Sequence, residues 1–355
     1  MEYKVIETVE QFEAIELDYN TLISKISEFE IFYSYNWLHN YILFYPDNKD
    51  YKLKIVAGYR NGVLEILCPF CLRKDSLTFI TEEATDYNMI LLNKNLNCYE
   101  VLKDCFSFID KTISYKKIVL NHFRQSDVLL DLYCLLNKKD SLINTGNKYG
   151  GYKSFLEFQV PAPYCFIQDD KQKFVKKQTS DIKRLEKKLI AEHNVTFETS
   201  NKIDEELLHF ITTIQEENFG NTIFSNKRSW KFFLEGNKHL QNNYVVNKCY
   251  VDDELAALHF GFQTDDRICY YIPVHLKKYR NYGIGKILLL HIIQEAEEHG
   301  KLIFDSLRGQ ESYKFIFCDR QSANYRLIAY PLTKNKFTVF LLKAFRVIRN
   351  KIYNP

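Results

Sequence analysis

Tyr279-Arg280-Asn281-Tyr282-Gly283-Ile284-Gly285-Lys286, followed by Ile287-Leu288-Leu289-Leu290, is the stretch on which the reading of this chain turns. It lies between an apolar strand pattern, Arg267 to Val274, and a helical pattern, Ile284 to His299. An Arg-x-x-Gly-x-Gly turn from a strand into a helix suits a pyrophosphate. Glycines let the backbone come close and take up unusual φ values. The first helical N–H groups point at an anion and the helix dipole adds to the attraction. The arginine supplies a planar donor fork that matches phosphate. A dinucleotide-binding Gly-x-Gly-x-x-Gly is the competing reading, and it fails because Leu288 stands where the third glycine belongs. Gly300 marks the stop of the helix, and Lys301-Leu302-Ile303-Phe304-Asp305 reads as the strand after it.

At 355 residues the chain has room for one large or two medium domains. Hydrophobic residues make up 46%, enough for a sizeable core, and the net charge of +3 does not call for a nucleic-acid partner. No apolar run reaches the roughly 20 residues of a membrane span. Met1-Glu2-Tyr3-Lys4-Val5-Ile6-Glu7 lacks the basic start and apolar run of a secretory signal, so a cytoplasmic protein with reduced cysteines is expected. Cys68-Pro69-Phe70-Cys71 has no second ligand pair at useful spacing and reads as two core-facing cysteines; no metal site is expected.

Helical and strand patterns alternate in both halves, which predicts a mixed α/β chain. Trp37 to Tyr45 reads as a helix, and Tyr51 to Tyr59 with Val63 to Arg73 as a hairpin around Asn61-Gly62. Tyr152 to Val160 reads as a strand closed by Pro161 and Pro163. In the second half, Lys171 to His193 is a basic helical region and Asp204 to Asn218 a helix with carboxylates at its start. Tyr244 to Val251 and Leu255 to Gln263 form a hairpin around Asp252-Asp253-Glu254, ahead of the glycine turn.

This order resembles that of GNAT-type acyl-CoA transferases: helices, an antiparallel meander, the pyrophosphate turn, a helix and a further strand. Over nearly its whole length the chain resembles the double-GNAT acyltransferases of the CelD/FemAB-like group, found in bacterial envelope and exopolysaccharide gene clusters. The resemblance is carried by Phe32-Tyr33-Ser34-Tyr35-Asn36-Trp37-Leu38, Asp86-Tyr87-Asn88, the basic helix Thr179 to Leu189, and Leu255-Ala256-Ala257. It is strongest at Phe304-Asp305-Ser306-Leu307-Arg308-Gly309-Gln310-Glu311-Ser312-Tyr313-Lys314. It implies two tandem GNAT-like domains with a central cleft, 1–160 without a cofactor turn and 161–355 with one. Many members carry Ser-Pro-Gly where this chain has Gly283-Ile284-Gly285, a departure that favours acyl-CoA over aminoacyl-tRNA as donor.

The donor site is therefore expected at Arg280, Asn281, Tyr282, Gly283, Ile284, Gly285 and Lys286, with acetyl-CoA or another acyl-CoA as co-substrate. Acyl transfer from a thioester needs an oriented donor, a deprotonated acceptor and a proton for the leaving thiolate. Tyr313 is the expected acid; Asp305, Glu311 and His275 are the candidate bases. Plainer readings stand beside each: a core aromatic for Tyr313, a turn cap for Asp305, a solvated charge for Glu311, a packed histidine for His275. Arg308 and Lys314 are expected to hold acceptor phosphates or to order their own loop, and Asp86, Tyr87 and His259 are further acceptor-side candidates. The acceptor implied by the resemblance is an amine or hydroxyl on a nucleotide sugar or glycan precursor of the envelope. The rivals are a FemAB-type transferase that takes an amino acid from charged tRNA and a non-catalytic assembly protein. The basic stretch Lys171 to Lys188 reads as a solvated face, with nucleic acid or an acidic glycan as the alternative. Phe337 to Ile352, with Lys343, Arg346, Arg349 and Lys351, suits either packing on the second domain or an anionic membrane surface at the inner face.

Overall fold

The computed structural model describes residues 1–44, 51–137, 152–167 and 179–331. The segment 337–352 and the first part of the basic stretch lie outside them. The strands are β1 Glu2–Ile6, β2 Tyr51–Leu53, β3 Ile55–Arg60, β4 Val63–Cys68, β5 Phe70–Arg73, β6 Ser76–Phe79, β7 Leu91–Leu92, β8 Lys117–Arg124, β9 Tyr152–Phe166, β10 Val195–Ser200, β11 Tyr244–Val251, β12 Glu254–Gln263, β13 Arg267–His275, β14 Ile303–Asp305 and β15 Arg320–Pro331. The helices are α1 Val9–Glu13, α2 Glu16–Ile23, α3 Tyr35–Phe44, α4 Cys98–Thr112, α5 Asp127–Asn137, α6 Ser180–Glu192, α7 Glu205–Phe219, α8 Lys227–His239, α9 Ile284–Glu298 and α10 Lys314–Phe317. Among the described residues no helix is long and apolar enough to cross a membrane.

The chain divides into two compact units, and their boundaries differ from the expected split at residue 160. The first holds Met1–Phe29, Asp47–Gln159 and the chain from Asn324; the second holds Glu30–Pro46 and Val160–Ala323. The reason is aromatic. Trp37 of α3 is fully buried edge-on against Phe232 of α8 at 5.1 Å and Phe262 of β12 at 5.0 Å. Asn40 donates to the carbonyl of Phe232 at 2.7 Å. The opening aromatic segment thus completes the core of the second unit.

In the first unit β1, β3, β4 and β7 form one antiparallel sheet. The β3–β4 hairpin turns at Asn61 and Gly62, both at positive φ (52° and 78°), as an Asn-Gly turn demands. Cys68 and Cys71 flank Pro69 and are both buried; the Cys68 sulfur lies 3.7 Å from that of Cys105 in α4. A second set pairs β2 with β5, β5 with β6, β6 with β8 and β8 with the Asn324–Ala329 part of β15.

In the second unit β10, β11, β12 and β13 form an antiparallel meander, with Asp252 and Asp253 at positive φ in the β11–β12 turn. α9 then crosses over, and β14 returns parallel to β13. Successive strand residues face opposite sides of a sheet. Tyr270 accordingly joins the core formed with α9, whereas Tyr271 meets Phe233, Phe260 and Phe262. α9 buries Ile284, Ile287, Leu288, Leu289, Ile292 and Ile293, so its position on the sheet is firmly set.

β9 does not stop at its prolines but runs on to Phe166 and pairs with β14. A proline lacks only the N–H, and its carbonyl remains an acceptor. Pro163 accepts from the amide and hydroxyl of Ser306 at 3.0 and 2.7 Å, and Pro161 from the amide of Gly309 at 2.9 Å. Where β13 and β14 begin to pair, the Arg267 guanidinium is buried between Asp305 at 2.8 Å and Glu30 at 2.7 Å. Removing the cation leaves two carboxylates facing each other without water. Arg267→Met should therefore cost about 3–5 kcal/mol of unfolding free energy; urea titration measures it, and a loss under about 1 kcal/mol would show that the trio does not hold the strands.

Candidate active site

β13 and β14 pair through Arg267–Ile303, Ile268–Phe304 and Cys269–Asp305, and there the pairing ends. Beyond it β13 continues to His275 alongside β12. The chain after Asp305 follows the carbonyls of Pro163 and Pro161 instead, through Ser306 and Gly309. The two strands therefore open into a fork. Among the described residues, the edge of Tyr270–His275 turned away from β12 has no strand partner.

At the tip of the β13 arm the chain makes a 3₁₀ turn, Lys277–Tyr282, and enters α9 through Gly283. Gly283 sits at φ 68°, ψ 34°, the left-handed region, and a β-carbon there would lie 3.3 Å from Leu185 of α6. Gly285, one step inside the helix, lies against His275: a β-carbon would meet its Nδ1 at 3.1 Å. The carbonyl of Gly283 accepts from the amides of both Lys286 and Ile287. Among the described residues, the amides of Ile284 and Gly285 have no acceptor. They are the orphan donors of the helix start. Arg280 and Lys286 are exposed and have no carboxylate partner among the described residues, whereas their neighbours Lys277 and Lys278 pair with Glu217 and Glu254. Asn281 is exposed as well, and Tyr282 donates to Glu192 under the Lys188 ammonium. Burial and the Arg280 cation lower the pKa of His275, which leaves the imidazole neutral at pH 7.

The crotch of the fork is aromatic. Tyr270 is buried one residue past the last β13–β14 pair, and Tyr313 meets it edge-on at 6.4 Å. Burial, helped by the Glu311 charge, raises the Tyr313 pKa, so its phenol keeps its proton at neutral pH. The other residues singled out in the sequence are committed to structure nearby. Asp305 is buried, pairs with Arg267 and accepts the Leu307 amide at 2.8 Å. Lys314 is buried and donates to the carbonyl of Arg308 at 2.6 Å, with Glu311 3.3 Å away. Arg308 is half-buried and Glu311 exposed.

His259 lies inside the sheet. Its Nδ1 bonds Asn247 at 2.9 Å, its Nε2 accepts the Tyr271 amide at 3.2 Å, and its ring stacks on Tyr270 at 4.5 Å. Burial pulls its pKa down to about 3. Asp86 and Tyr87 belong to the first unit, where Tyr87 is buried beneath the Arg124 guanidinium at 4.4 Å. The turn residues and His275 thus come together, as do Tyr313 and the 305–314 loop. Arg267 and Glu30 carry no local signal in the sequence. The pairing of Arg267 with Glu30 and Asp305 appears only once three distant segments meet.

Residues 176–315 match the model of the acetyltransferase (GNAT) domain. The matched residues lie within the second unit. No curated protein sequence matches the chain. Among solved structures it is similar to FemX, at 11% identity over 96% of this chain and 99% of that one, with a TM-score of 0.58. It is also similar to a tandem GNAT protein from the clavulanic acid biosynthesis pathway (8% identity, 92% and 98% covered, TM-score 0.54). A third likeness is to the C-terminal domain of a putative lysylphosphatidylglycerol synthetase from Agrobacterium fabrum (10% identity, 95% and 96% covered, TM-score 0.52). At these identities the likeness is one of fold, and it bears out the expected mixed α/β, tandem GNAT-like architecture. Among the described residues no cluster of three His, Cys, Asp or Glu side chains is arranged to hold a metal ion.

A testable consequence concerns His259. Its folded pKa lies below the ordinary histidine value, so the native state binds fewer protons than the unfolded chain between about pH 6.5 and 3. The stability that this neutral imidazole contributes is present above pH 6.5 and is lost as pH falls through that window. His259→Gln should lower stability at pH 7 by about 1–3 kcal/mol and flatten the decline of melting temperature with acid. Parallel melting curves for the two proteins across that range would show that His259 titrates normally.

Proposed function

We propose that the chain is an acyl-CoA-dependent acyltransferase of the GNAT type whose donor binds at Arg280–Lys286. The observation that carries this reading is that, among the described residues, the Ile284 and Gly285 amides at the start of α9 have no acceptor and the Arg280 and Lys286 cations beside them have no carboxylate partner. Donors of this kind, fixed before the ligand arrives, suit a pyrophosphate. The free edge of Tyr270–His275 offers backbone groups to the amide-rich arm of CoA, which sets the thioester in the fork. A protonated Tyr313 at the crotch is suited to protonate the thiolate as the carbon–sulfur bond breaks. The acyl group is taken as acetyl. The acceptor is taken as an amine or hydroxyl of a sugar-containing envelope or exopolysaccharide precursor, by analogy with the CelD/FemAB-like group. Action in the cytoplasm, at the inner face of the membrane through 337–352, belongs to the same analogy.

The likeness to FemX favours a second reading, aminoacyl transfer from charged tRNA. Lys183 and Lys187 are exposed on α6 and have no carboxylate partner among the described residues, a face open to a polyanion. The intact glycine turn weighs for acyl-CoA.

Calorimetric titration with acetyl-CoA, desulfo-CoA and charged tRNA separates the two. Acetyl-CoA should bind, and Gly285→Glu should weaken it at least about 100-fold, since it puts a carboxylate against the phosphate site. The double exchange Arg280→Glu, Lys286→Glu alters only exposed side chains and should weaken it roughly tenfold or more, with an unchanged melting temperature. Unaltered affinity in both folded variants would remove the donor from this turn.

A further inference from the structure

A buried tyrosine ordinarily finds a partner for its hydroxyl. Two in the second unit do so: Tyr244 donates to the carbonyl of Phe233 at 3.1 Å, and Tyr279 to Glu254 at 3.0 Å. Tyr270 does not. It is 3% exposed, yet its hydroxyl has no hydrogen-bond partner among the described residues. A hydroxyl taken out of water without a partner lowers the stability of a fold. Phenylalanine would fill the same space without that loss, so packing alone gives no reason for the oxygen.

Its place in the fold supplies one. Tyr270 follows Cys269, the last β13 residue paired with β14, and so stands where the fork opens. Its ring is held on several sides. His259 stacks on it at 4.5 Å with the planes 17° apart, Phe304 lies 5.8 Å away, and Tyr313 meets it edge-on at 6.4 Å. His259 is fixed in turn by Asn247 and by the Tyr271 amide. That bond spends the Tyr271 amide inside the sheet, where it does not serve a ligand in the fork. Burial, and to a lesser degree the neighbouring Tyr313, raises the Tyr270 pKa, so this phenol keeps its proton at neutral pH. The Tyr313 hydroxyl has no partner among the described residues either. The crotch thus carries two protonated phenols that the described fold does not use.

Resting on the donor reading above, we propose that Tyr270 is a catalytic residue: its hydroxyl donates a hydrogen bond to the thioester carbonyl oxygen and stabilises the negative charge that develops there during transfer. The acceptor's lone pair attacks the carbonyl carbon, and the carbonyl π pair moves onto oxygen. That alkoxide accepts the Tyr270 hydrogen bond without taking the proton. The pair then returns, the carbon–sulfur bond breaks, and sulfur leaves as the thiol with a proton from Tyr313. The proton lost by the acceptor restores the Tyr313 phenol through solvent. Oxygen and sulfur become electron-rich at different moments, and each has its own phenol. A donor fixed beforehand loses nothing to reorganisation as the charge forms, and removing one of this kind slows acyl transfer by about 100- to 1,000-fold.

The test needs no acceptor. Acetyl-CoA isotope-labelled at the thioester carbonyl is bound to the whole protein, and its carbonyl stretch is read by infrared difference spectroscopy beside calorimetric Kd and melting curves. The stretch should lie at lower frequency in the wild-type protein than in Tyr270→Phe, and Tyr313→Phe should match the wild type. Tyr270→Phe should raise the acetyl-CoA Kd by no more than about tenfold, the loss of one neutral hydrogen bond. It should melt at the wild-type temperature or above, since it removes an oxygen for which the fold has no use. A lowered melting temperature would show that the hydroxyl has a structural partner. An unchanged stretch in Tyr270→Phe, or a stretch altered by Tyr313→Phe instead, would give the carbonyl another donor. Each of these would overturn the Tyr270 assignment alone. Failure of the wild-type protein to bind acetyl-CoA would overturn the donor reading and this assignment with it.

Discussion

The second unit depends on one buried guanidinium. Arg267 begins β13, Asp305 ends β14, and Glu30 lies on a segment far earlier in the chain, yet a single nitrogen contacts both carboxylates. Two parallel strands joined by so short a ladder have few backbone bonds to hold their register. The ion trio fastens that ladder from a buried position. Everything useful follows from the place where it ends. A longer ladder would close the fork, and a weaker one would let its arms drift.

The fork is also held open from the other side. After Asp305 the backbone needs new acceptors, and the prolines of β9 supply them through carbonyls that carry no competing N–H. One arm is thereby bound to β9 while the other stays with β12. The gap carries an exposed backbone edge on one side and a protonated phenol at its base. The glycine turn caps the open end with donors that have no acceptor among the described residues. The site is thus a set of incomplete hydrogen-bonding arrangements, each fixed by a neighbour that is complete.

How much of this could be read in the sequence follows from how local each feature is. The turns at Asn61-Gly62 and Asp252-Asp253 were plain, because positive φ imposes its own residue choice. So was the entry into α9, where Gly283 must be left-handed and Gly285 must yield space to His275. The resemblance at Phe304–Lys314 drew attention to this loop, but not to the fact that Lys314 and Asp305 are used up in holding it. Pro161 and Pro163 pointed to a strand end, since sequence reports the missing donor and not the partner waiting for the carbonyl. The placement of α3 was beyond reach: its aromatics state that they want burial and say nothing of which core takes them.

That placement of α3 has a consequence for how the protein is made. Trp37 leaves the ribosome early, but the Phe232 and Phe262 rings that bury it are synthesised far later. With roughly 220 residues between the first ring and the last, at ordinary elongation rates the opening aromatic helix waits roughly 10 to 45 s for its core. During that time the first unit has all of its own early strands at hand and can begin to collapse around a segment that does not belong to it. The nascent chain must keep a strongly apolar helix unburied while the strands of the first unit pair. Its biogenesis is therefore more exposed to chaperone supply and translation speed than the two-unit plan would suggest.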